Sequence, residues 1–122
     1  MDGNALDVRY LASLTEMNLF AELGKAARKS GLAMLPSEGE ELPDWKVGQA
    51  FFRRQLANIR RLYCTEAIAK SVQDEGRRDI VVFVSSLLDL FAAYFGVTAA
   101  TIILVQIYKI GVDRFCGQES SS

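Results

Sequence analysis

The sequence predicts an all-α protein of three or four helices: two amphipathic helices, then a long apolar C-terminal helix or helical hairpin. Three observations predict it. Apolar residues recur at spacings of three and four along much of the chain. Two such runs open behind good N-cap residues, Asn4 and Asp44, and stop near Gly31 and Gly76. The third run, from Ile80, holds a β-branched stretch, "IVVFV", that would suit a strand. It reads as helical from Ser85 onward, however, and no partner strand is visible elsewhere.

The first predicted helix covers residues 5–30. Leu6, Tyr10, Leu14, Met17 and Ala21 make its apolar stripe. Lys25, Arg28 and Lys29 fall in the last turn, where cations suit the helix dipole. Val8, Leu19 and Leu23 lie off the stripe, so the helix should touch more than one neighbour.

Residues 31–44, "GLAMLPSEGEELPD", form the acidic linker. Pro36, Gly39 and Pro43 break helical continuity, and Glu38, Glu40 and Glu41 favour water. Leu32, Met34, Leu35 and Leu42 are positioned to pin it to the fold.

The second predicted helix covers residues 45–75. Trp45, Phe52, Leu56, Ile59 and Tyr63 fall in a narrow arc of the helical wheel. Lys46, Arg53, Arg54, Arg60 and Arg61 occupy another arc. This is a cationic face opposite an aromatic one. Residues 45–78 carry eight basic and three acidic groups, in a chain whose net charge is −1. The cationic block is therefore local, and the whole chain has no bulk affinity for polyanions.

The third predicted segment covers residues 78–111, with Gly96 as its one candidate break. Residues 90–108 hold no charge and reach a mean hydropathy of roughly +1.8. As one helix they would run roughly 28 Å, close to the ~30 Å hydrocarbon core of a bilayer. A membrane span is thus the leading expectation, with residues 1–78 as a cytoplasmic amphipathic head. The phase of the polar residues favours the alternative, a hairpin buried in a cytoplasmic bundle. Arg78, Ser85, Ser86 and Asp89 share one face before Gly96; Thr98, Thr101, Gln106 and Lys109 share one face after it. In an unbroken helix these faces would point in nearly opposite directions. An unbroken helix would instead align Ser85, Asp89, Ala92, Gly96 and Ala100 into a small-residue packing seam of the kind that lets helix backbones approach.

The domain organisation expected is a head (1–78), a hydrophobic helical segment (79–116) and a polar tail (117–122). The opening residues, MDGNALDVRY, lack the apolar core of a signal peptide. Two cysteines, Cys64 and Cys116, make neither a disulfide framework nor a metal quartet; a disulfide between them is open, and a reducing compartment is the simpler expectation. The Cys116 thiol, just past the apolar segment, is a position where a lipid could attach.

The chain has no histidine, the commonest general base near neutral pH. No phosphate loop, CxxC pair or nucleophile motif is present. The expectation is a non-enzymatic assembly subunit without catalytic residues, cofactor or metal. It would associate with a membrane or with partner helices through its apolar C-terminal segment. The alternative is a soluble four-helix bundle acting as an adaptor, scaffold or oligomerisation module. The expected contact residues are Lys46, Arg53, Arg54, Arg60, Arg61, Arg77 and Arg78, facing a protein partner, a second copy or anionic lipid. Nucleic acid ranks last, because no recognition-helix motif is present.

Overall fold

The structure is a computed structural model; it describes residues 8–30, 42–65, 79–110 and 115, and the statements below concern those residues. They contain six helices and no strand. The helices are α1 (Val8–Ala12), α2 (Glu16–Ser30), α3 (Asp44–Arg54), α4 (Leu56–Thr65), α5 (Ile80–Phe95) and α6 (Val97–Ile110).

The first predicted helix is two. The chain turns at Ser13–Leu14, and the Thr15 hydroxyl restarts it by accepting from the Asn18 N–H at 3.1 Å. That is an N-cap bond to the third helical residue. The interruption resets the helical phase, which corrects the expected stripe. Tyr10 and Met17 are exposed, whereas Leu11, Leu19, Phe20, Leu23 and Ala27 are buried. The second predicted helix bends at Gln55, whose φ of −94° and ψ of 4° leave the helical region. Its predicted apolar arc survives the bend: Phe52, Ile59 and Tyr63 are all buried. Asp44 begins α3 but does not cap it; Pro43 takes that position and no side chain closes the end. The Asp44 carboxylate instead accepts from Arg28 at 3.0 Å.

The third segment breaks at Gly96, so the single bilayer-length helix is not formed. Asp79 starts α5 by accepting from the Val81 N–H at 2.8 Å, which helps a β-branched opening become helix. Gly96 ends it with φ of 82° and ψ of 160°, a region essentially reserved for glycine. The pieces have 16 and 14 residues, or about 24 and 21 Å. Among the described residues, no helix is long and apolar enough to cross a membrane.

Two antiparallel hairpins result. In the first, α2 and α3 pair Phe20 with Phe52, Gly24 with Gly48 and Arg28 with Asp44, each four residues further along α2 and four back along α3. In the second, the Phe83 ring near the start of α5 meets Tyr108 near the end of α6, centroids 5.3 Å apart. The hairpins share one core. Phe51 of α3 meets Phe95 edge-on at the Gly96 turn, and Tyr63 of α4 meets Phe83 of α5.

Helix α6 lies at the centre of that core. Nine consecutive residues, Ala99 to Ile107, are buried. A helix that is apolar all round is a buried one, and this accounts for the hydropathy peak without lipid. Burying each large aliphatic side chain here stabilises the fold by roughly 1.5–3 kcal/mol. Lys109, at the end of α6, donates to the Ala12 and Leu14 carbonyls at 2.8 and 2.6 Å. It satisfies the C-terminal end of α1 and ties the front of the chain to its last helix.

Candidate functional site

The basic residues of the second predicted helix fall on both sides of the bend, Lys46, Arg53 and Arg54 on α3 and Arg60 and Arg61 on α4. From Trp45 to Thr65 the sequence holds five basic residues and no acidic one. Phe51, Phe52, Ile59, Leu62 and Tyr63 turn inward, which leaves Lys46, Arg53, Arg54 and Arg61 exposed on the opposite side of α3 and α4. Arg53 and Arg54 pair with no carboxylate among the described residues. Lys46 lies 5.6 Å from the Trp45 ring centroid and Arg61 5.9 Å from that of Tyr94, itself 52% exposed. Arg60 differs from its neighbours. It is half-buried, with its guanidinium 5.6 Å from the centroid of the buried Phe115 ring, so it belongs to the packing of α4. Arg77 and Arg78 lie outside the described residues.

Guanidinium groups suit carboxylates because their planar forks donate two parallel hydrogen bonds. A row of them on a rigid helix presents fixed donors to an anionic surface. Arginines without ion-pair partners need not break an internal pair to engage one.

The small-residue line does not form as one seam, because its geometry required an unbroken helix. Ser85 and Asp89 face water, Ala92 is half-buried, Gly96 is exposed at the turn, and Ala100 is buried against the core. The close helix approach occurs elsewhere, between Gly24 and Gly48. A Cβ on Gly48 would collide with the Phe20 carbonyl oxygen, and one on Gly24 with the Asp44 carbonyl oxygen. Each glycine sits alone in its helix, so no small-residue repeat in the sequence marks the contact.

The polar face expected of α6 is divided. Thr98 and Lys109 are exposed, but Thr101 and Gln106 are buried. Thr101 donates back to the Val97 carbonyl at 2.8 Å, the usual accommodation of a helical threonine. The Gln106 Nε2 has no hydrogen-bond partner among the described residues.

Cys64 is disulfide-bonded, contrary to the reduced thiols expected. The other cysteine in the sequence, Cys116, lies outside the described residues. Among the described residues, no three of Cys, Asp and Glu gather as a metal site would require. Comparison with protein-family models, curated proteins and solved structures found no match to this chain.

Proposed function

We propose that this chain is a non-enzymatic helical docking module, an adaptor or scaffold, that engages an acidic protein partner through the arginine face of α3 and α4. One observation carries the reading. The apolar segment that could have met lipid or partner helices is spent on the chain's own core, while Arg53 and Arg54 stand exposed without an ionic partner among the described residues. Exposed like charges on one face repel one another and gain little from folding. They gain when a complementary surface arrives, chiefly in association rate and specificity. The acidic partner is favoured over a long polyanion because the body carrying the face has a net charge of −1.

The test is a double charge reversal, Arg53→Glu with Arg54→Glu. Both sites are exposed, so thermal stability should change by no more than about 0.5 kcal/mol. Binding of a fluorescently labelled oligoglutamate peptide should weaken about tenfold, and wild-type binding should fall steeply with salt. Equal binding by wild type and variant would refute the docking face. Preference for anionic over neutral vesicles, with no peptide binding, would replace the protein partner with a lipid surface.

A further inference from the structure

A concavity among the described residues shares no lining residue with the arginine face. It is a cleft of about 650 Å³ between α1, α2, the head of α3 and the first turns of α6. Its volume falls within the ~300–1,000 Å³ range of small-molecule sites. Leu11, Ala26 and Ile102, all buried, form its floor, and the exposed Tyr10 and Thr98 stand at its sides. A second cavity of about 390 Å³ shares Ala26, Lys29 and Thr98 with the first and continues towards Phe95 and Gly96. Lys29 therefore stands where the two concavities join.

The charges around the cleft sort themselves by geometry. Glu22 is 3.5 Å from the Lys25 ammonium. Asp44 is 3.0 Å from the Arg28 guanidinium, whose other nitrogen donates to the Leu42 carbonyl at 2.6 Å. Both carboxylates are thus matched by a cation. Lys29 is left over, with no ionic partner among the described residues. The site combines an apolar wall with a single surplus positive charge.

We infer that this cleft binds an amphipathic monoanion. A carboxylate head would meet Lys29, and a hydrocarbon or aryl body would lie against the exposed Tyr10 ring, over the floor of Leu11, Ala26 and Ile102. A polyphosphate is disfavoured, because Lys29 is the one cation lining the cleft without an ionic partner among the described residues. A neutral lipid or an alkyl ammonium would leave Lys29 unmatched or repel it. The site shares no residue with the arginine face, so the two proposals stand or fall separately.

The experiment titrates the full chain with dodecanoate below its micellar concentration. Calorimetry measures the heat of binding. Saturable one-to-one binding is expected, with dodecanol binding at least about tenfold more weakly. Lys29→Glu should weaken dodecanoate about tenfold and leave dodecanol unchanged. Thr98→Trp should abolish binding of both by filling the junction. Thr98 is exposed, and an unchanged melting temperature checks that this variant folds. Absence of saturable dodecanoate binding to the wild type would overturn the inference. So would dodecanol binding as tightly as dodecanoate, or a folded Lys29→Glu variant that binds dodecanoate as the wild type does.

Discussion

The two hairpins use glycine for opposite reasons. In the α2–α3 hairpin, Gly24 and Gly48 sit inside helices, where alanine would be the better helix former by about 1 kcal/mol. They are glycine because the facing backbone occupies the space a Cβ would need. In the α5–α6 hairpin, Gly96 has open space around it; among the described residues, none beyond its chain neighbours comes within 4 Å of where a Cβ would stand. It is glycine because its φ of 82° is unfavourable to an L side chain. One hairpin is held by proximity between helices, the other by the conformation of its turn. The first brings backbones together, while the second lets a long apolar sequence fold back on itself.

The largest effect should come from filling the first contact. Gly48→Val should destabilise the protein by about 3 kcal/mol, read from urea denaturation, because the collision is with backbone that no rotamer change can relieve. A loss below about 1 kcal/mol would mean that the helices separate cheaply, and the proximity argument would fail. A smaller effect is expected at the turn. Gly96→Ala should cost about 1–2 kcal/mol through backbone strain alone. D-alanine at the same position, introduced by chemical ligation, should be tolerated, because the mirror-image residue favours positive φ and the space is open. If D-alanine costs as much as L-alanine, the glycine is needed for space after all. The smallest effect has the opposite sign. Gln106→Leu in α6 should stabilise the fold by about 1 kcal/mol, because a buried donor without a partner is replaced by apolar surface of similar shape. A destabilised variant would show that Gln106 has a partner that appears in solution.

The comparison also bears on how an apolar segment is read. Residues 90–108 have the hydropathy of a membrane span, yet Gly96 divides them and α6 becomes the central helix of a bundle. Hydropathy measures how strongly a segment avoids water. It does not record whether lipid or protein replaces the water. The polar phase shift across Gly96 held the missing information, since Ser85, Ser86 and Asp89 face water on α5. The same reasoning was only half right for α6. Thr101 and Gln106, expected to face water, are buried, because they lie within the run Ala99–Ile107 that the core encloses, while Thr98 and Lys109 at the ends of α6 stay exposed.

Of the candidate site, the arginine face was legible and the cleft was not. Lys46, Arg53, Arg54 and Arg61 sit on a helix whose opposite arc is aromatic, and periodicity alone separates the two faces. Arg60 falls on the same wheel, but the burial of Phe115 draws it into packing, which no local pattern encodes. The cleft joins Leu11, Lys29 and Ile102, which are distant in sequence and meet only when the hairpins dock. Neither its apolar wall nor the matching of Arg28 to Asp44 leaves a local signature.

By itself the sequence determined the helical class and the aromatic and cationic arcs of α3–α4; it offered Gly96 only as a candidate break in a segment that reads first as a single span. Each follows from local spacing or from the conformational freedom of one residue. Only the tertiary structure decided that α1 and α2 are separate, that Gly24 meets Gly48, and that the most apolar helix lies inside the chain's own core. Those outcomes depend on what each face finds opposite it, and contact between residues far apart in the chain is set by the shape of the whole rather than by any one segment.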